Sequence, residues 1–146
     1  MGERLGLDDL LSAIRAAGGR VTVAKRAVAT TLVEATNHLS ADEITRRVQS
    51  THPDVSPSTI YRILEDLEEL GVVVHAHLGH AAAVYHVVGP VHGHLVCSNC
   101  GTSIEIPART FDGLSATLRR EYGFELDRHH VALAGLCRKC RERRDA

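Results

Sequence analysis

Three observations predict an α+β fold in two unlike parts. Residues 1–89 hold a tandem series of capped amphipathic helices, a β-hairpin signal closes that series, and all four cysteines lie beyond the Gly-Pro step at 89–90. The expected boundaries are a first domain over 1–88, a hinge at 89–91 and a second domain over 92–146. A chain of 146 residues with 44% hydrophobic content is long enough to fold alone as two small domains. It has no apolar run near 18 residues, and its N-terminus reads as an amphipathic helix. A soluble, cytoplasmic protein with no membrane partner is therefore expected.

The first helix is "LDDLLSAIRAAGG", with Leu7, Leu10, Leu11 and Ile14 on one face and a stop at Gly18-Gly19. "TVAKRAVATTLVEA" follows with Thr22 as N-cap, and His38 closes this second helix. "SADE" places Ser40 and Glu43 as a capping box opening a third helix through Ile44 and Val48. "VSPSTIYRILEDLEELG" gives a fourth, with Ser56 as N-cap, Pro57 at the first helical position, an apolar stripe from Ile60 to Leu70, and Gly71 beyond its end. "VVVHAH" and "AVYHVV" form a hairpin by β-branched content and turn signal.

Short helices followed by a hairpin are the order of a winged helix-turn-helix. The fourth helix is then the reading helix: its stripe faces the core while its first turn presents Ser58, Thr59, Tyr61 and Arg62. An ordinary core helix with a wet outer face has the same pattern. Charge opposes the DNA reading, because residues through Pro90 carry eight Lys and Arg against eleven Asp and Glu. Contact with DNA must come from a local set: Arg20, Lys25, Arg26, Arg46, Arg47 and Arg62.

Beyond Pro90, Cys97 and Cys100 sit on "CSNCG", and Cys137 and Cys140 on "CRKC". In a reducing compartment two such pairs are metal ligands rather than disulfides, and together they make the four-thiolate cage that Zn2+ accepts. The 36 residues between the pairs read as strand, helix, strand. A four-thiolate site has no open position for water, so its role is structural.

Eight of the ten histidines fall between 75 and 130. His92 and His94, two apart on a strand, share a face, and Glu105 on the next strand can meet it. If His38 and His86 join them from the first half, a metal among the five fixes the angle between the halves. For a histidine taken singly, a solvated or core role is the commoner one. No His-Glu-x-x-His helix, nucleophile elbow, phosphate loop or glycine fingerprint is present, so an enzyme is not expected. A metal-storage or transfer protein would use the histidines but leaves Tyr61 and Arg62 without a purpose.

The order "STIYRILEDLEELG", wing, "HGHLVCSNCG" and "GLCRKC" resembles the ferric uptake regulator (Fur) family of bacterial metal-dependent repressors over nearly the whole chain. The resemblance implies a homodimer bound to palindromic operator DNA, an N-terminal winged-helix DNA-binding domain, a C-terminal α/β dimerisation domain and a structural four-cysteine zinc. It also implies a hinge site for a regulatory divalent metal on His38, His86, His92, His94 and Glu105.

Three departures from the family pattern stand out. The Pro-Arg or Pro-Gln-Arg that opens the second helix becomes "VAKR", so Lys25 or Arg26 must replace that phosphate contact. Glu105 stands where the family's peroxide sensors carry aspartate, which speaks against the alternative of a peroxide-sensing regulator. A second metal site on the domain face would need ligands at Val91 and Gly93, which offer none. "VHAHLGH" resembles the nickel-responsive branch, where His75, His77 and His129 would form a different second site; wing histidines can equally touch DNA backbone or solvent. Imidazoles with one carboxylate and no thiolate suit Ni2+, Fe2+ or Zn2+ as the regulatory metal, and the wing favours Ni2+.

Overall fold

The computed structural model describes residues 3–78, 82–128 and 131–145. It divides into two compact units, the first comprising residues through Ala76 with Ala82–Pro90, the second comprising His77 and Leu78 with the residues from Val91 onward.

The first unit holds α1 (Leu7–Ala16), α2 (Val23–Glu34), β1 (Leu39–Ser40), α3 (Ala41–Thr51), α4 (Pro57–Glu69), β2 (Val73–Ala76) and β3 (Val84–Val87). The caps are where the sequence places them. Thr22 accepts from the Lys25 amide, Ser40 and Glu43 form the reciprocal box, and Ser56 accepts from the Thr59 amide ahead of Pro57. Gly71 follows α4 at φ +71°, a backbone that side-chain-bearing residues rarely adopt, and turns the chain into β2. Leu10, Leu11, Leu32, Ile44, Ile60, Leu64 and Leu67 are almost wholly buried in one core. Burying each contributes about 1.5–3 kcal/mol.

β2 and β3 pair antiparallel as the hairpin. The two-residue β1 adds to the other edge of β3, giving the order β1-β3-β2. That third strand changes the expected place of His38. α2 ends at Glu34, and His38 lies in the link to β1, because Ala35 already has extended backbone. An N-terminal strap closes the unit: Leu5 donates its amide to the Val88 carbonyl, and the Arg4 guanidinium donates to the Leu32 and Ala35 carbonyls, each at 3.0 Å.

The second unit holds β4 (His92–Cys97), β5 (Ser103–Pro107), a 3-10 turn at Ala108–Phe111, α5 (Asp112–Tyr122), β6 (Ala132–Gly135) and α6 (Arg138–Asp145). Its sheet has the order β5-β4-β6, with β5 antiparallel and β6 parallel to the central strand. The parallel register sets Cys97 opposite Gly135, and Ser98 donates to the Gly135 carbonyl at 2.8 Å. The chain end that carries Cys137 and Cys140 is thereby delivered to the first knuckle. No described helix is long and apolar enough to cross a membrane.

Candidate metal centres and reading helix

In the second unit, one ligand atom from each of Cys97, Cys100, Cys137 and Cys140 lies within 4.8 Å of every other. The Cys100 and Cys137 sulfurs are 3.8 Å apart. Tetrahedral zinc with Zn–S bonds of about 2.3 Å separates its sulfurs by about 3.8 Å, so the donor set fits that ion. Gly101, at φ +74°, allows the tight turn of the first knuckle, whose amide returns to the Cys97 carbonyl at 2.9 Å.

The first knuckle of the cage is polarised for thiolates, whereas the second cysteine of the other pair is not. Amide hydrogens of Cys137, Cys100 and Asn99 aimed at the Cys97 sulfur lower its pKa to about 6. Cys140 is held up at about 11: Asn99 donates its side-chain amide to the sulfur and pulls the value down, but Cys137, burial and the other two thiols outweigh it. Asn99 is a supporting residue that sequence reasoning missed, although its place between the first two cysteines was visible.

On β4 of the same unit, His94 faces Glu105 in the β4–β5 register. The His92 Nε2 atom is 4.0 Å from a Glu105 carboxylate oxygen, and the His92 and His94 ring centroids are 5.0 Å apart. Burial, then the neighbouring His92, hold the His94 imidazole below its ordinary pKa, with Glu105 pulling the other way. The balance favours the neutral imidazole that a metal ligand must be. Alternating with these residues, Gly93 packs under the buried Phe111 ring, so closely that a Cβ there would lie 2.1 Å from a ring carbon. A ligand at position 93 is therefore excluded by packing as well as by the residue type.

In the first unit, the His38 and His86 rings meet edge to face with centroids 4.3 Å apart. The His86 Nδ1–H donates to the Val87 carbonyl at 3.1 Å, which fixes the ring's tautomer. On the wing, β2 ends at Ala76, so His75 lies in the strand and His77 one residue past it. His75 is hydrogen-bonded to Glu68 of α4. His129, the third member of the suggested wing set, lies outside the described residues.

The start of α4 gathers hydroxyls. Ser56 Oγ is 3.1 Å from Ser58 Oγ and 2.9 Å from Thr59 Oγ1. Ser58, Tyr61 and Arg62 are exposed and Thr59 is half-buried. Tyr61 donates to Asp42 of α3 at 3.3 Å. Of the "VAKR" cations, Lys25 is 3.8 Å from Asp66 of α4, while Arg26 is exposed, as is Arg20.

This arrangement has relatives. Residues 16–134 match the model of the Ferric uptake regulator family. The chain belongs to the ferric uptake regulator family. The Peroxide operon regulator of Bacillus subtilis (strain 168) is 27% identical over 134 residues, 92% of this chain and 92% of that protein. The Helicobacter pylori ferric uptake regulator Fur has the same fold, at a TM-score of 0.79 and 23% identity over 97% of each chain. The Pseudomonas aeruginosa ferric uptake regulator, solved with manganese, gives 0.69 and 29% identity over 87% of this chain and 96% of its own. Ferric uptake regulators are metal-responsive transcription regulators, with an N-terminal DNA-binding domain and a C-terminal dimerisation domain. The first unit has the winged-helix order of the former, and the second carries the four-cysteine cluster.

Proposed function

We propose that this ferric uptake regulator is a metal-dependent repressor that binds palindromic operator DNA as a homodimer when a regulatory divalent ion occupies the hinge. His38 and His86 of the first domain (1–88) and His92, His94 and Glu105 of the second (92–146) are its ligands, and 89–91 is the hinge. The observation that carries this reading is the placing of two imidazoles and one carboxylate on adjacent strands β4 and β5. A bound ion stabilises the one arrangement of the domains that satisfies all five ligands, and so shifts the population toward the DNA-binding form. The four cysteines hold a structural zinc apart from this switch.

The chain's own residues divide the remaining work. Ser58, Thr59, Tyr61 and Arg62 enter the major groove, while Arg20 and Arg26 take phosphates, with Lys25 shared between phosphate and Asp66. A second copy covers the apolar row Ile104, Leu95 and Leu133, which lie side by side across β5, β4 and β6 and are 48%, 37% and 43% exposed. Two-fold pairing then presents two reading helices to half-sites about one helical turn apart. Four imidazoles with one carboxylate suit Ni2+, Fe2+ and Zn2+, and the resemblance of the wing set His75, His77 and His129 to the nickel-responsive branch favours Ni2+.

Fluorescence anisotropy on the chain's own upstream DNA tests the reading, titrating the zinc-caged protein separately with Ni2+, Fe2+, Zn2+ and Mn2+. One metal alone driving tight binding supports it and names the ion; binding indifferent to every metal contradicts it. The second reading, a peroxide-sensing regulator, is favoured by the relative from Bacillus subtilis and opposed by Glu105. Loss of DNA binding after peroxide treatment of the Fe2+ form, with the Zn2+ form unaffected, selects it.

A further inference from the structure

The DNA-binding unit is poor in the charge that DNA demands. Through Pro90 the sequence has eight of the seventeen Lys and Arg and eleven of the eighteen Asp and Glu; nine cations and seven anions lie beyond. Five of those nine, Arg138, Lys139, Arg141, Arg143 and Arg144, fall within the eight residues of α6, against only Glu142 and Asp145.

Elsewhere in that unit three of the four arginines pair with carboxylates. Arg119 pairs with Glu125, Arg120 with Glu121 and Arg128 with Asp112. In α6, among the described residues, only Arg144 has an acidic partner, Asp145 of its own helix at 3.8 Å. All five cations are exposed, and Cys140 is the one buried residue of the helix. Helical spacing sets Lys139 and Arg143 along one flank of Cys140, and Arg141 and Arg144 along the other. Four of the five cations are guanidiniums, which grip phosphate oxygens in a bidentate way.

We propose that α6 is an auxiliary phosphate-binding helix that grips the backbone of duplex DNA flanking the operator, anchored through Cys140 in the thiolate cage. It rests on the DNA-binding reading above and supplies the positive charge that the reading unit lacks. Each neutralised phosphate steepens the fall of log affinity with log salt by about 0.9.

The test is the salt dependence of binding by the full-length, metal-loaded dimer to its own upstream duplex. One phosphate contact per chain predicts that Lys139→Gln/Arg141→Gln/Arg143→Gln/Arg144→Gln lowers the slope by about 2. Between about 50 and 200 mM salt the unaltered protein then loses about tenfold more affinity than the variant. Gln keeps the helix propensity, and unchanged zinc content and dimer mass check the fold. Glu142→Gln/Asp145→Asn, which leaves every cation in place, should instead tighten binding at high salt. On a duplex trimmed to the operator core, the difference should vanish. An unchanged slope overturns the proposal and leaves the helix to an acidic protein partner. So does an equal loss in Arg119→Gln/Arg120→Gln, which removes charge from α5 and would reveal only a general field effect. Failure of the unaltered protein to bind DNA overturns the DNA-binding reading itself.

Discussion

Gly93→Ala adds one methyl group at the tightest point of β4. Its Cβ would lie 2.1 Å from Phe111 Cε2 and 2.5 Å from Cζ, and Phe111 is only 2% exposed. Carbon contacts settle at about 3.5–4.0 Å, so the ring must retreat by about 1.5 Å into a filled interior. Overpacking of this kind costs about 1–3 kcal/mol, offset by about 0.4–1 kcal/mol from the stiffer unfolded chain, for a net loss of about 1–2 kcal/mol. Phe111→Ala alone should cost about 3–5 kcal/mol through its cavity. If the ring is the obstacle, the double variant should be no less stable than Phe111→Ala, because the added methyl then meets empty space. Urea unfolding of the zinc-loaded protein at fixed concentration, followed by circular dichroism, measures all three. Additive losses would refute the argument.

Further expectations concern the interface, the cage and a cap. Leu95→Glu puts a charge in the centre of the Ile104–Leu95–Leu133 row and should convert dimer to monomer in sedimentation, with zinc retained; an unchanged dimer places the interface elsewhere. Cys97→Ser should release zinc and unfold or monomerise the C-terminal half, and a stable zinc-free dimer would show that the cage is not structural. Glu43 accepts the Ser40 amide at 2.7 Å, and that bond, working against burial and aided by Ser40 Oγ, Arg46 and Arg47, lowers its pKa from 4.5. A depressed carboxylate stabilises above its ordinary value and loses its contribution as pH falls through the folded-state one. Glu43→Gln should therefore cost about 0.5–1 kcal/mol at pH 7 and flatten the acid limb of a stability–pH curve below about pH 4.5.

The helices were legible because their signals are local. Thr22, Ser40, Ser56, Pro57 and Gly71 each mark a boundary within a few residues of the bond they make. The cage was legible for the same reason, since each Cys-x-x-Cys fixes two ligands on one turn. What escaped depends on distant partners. The pairing of β1 with β3, which moves His38 out of α2, joins residues 39 and 85. The Lys25–Asp66 and His75–Glu68 pairs join α4 to other elements of the first unit, and the Phe111 ring over Gly93 is set by the 3-10 turn after β5. None of these leaves a period or spacing in the sequence.

The most direct test of the switch compares DNA affinity with and without the regulatory metal for the native protein and for His92→Ala, both with their thiolate zinc in place. His92 stands beside Glu105 and outside the cysteine cage, so the variant should keep its fold, zinc and dimer mass. The gain in affinity on adding metal should disappear in His92→Ala. Full metal-dependent affinity in that variant would contradict the switch.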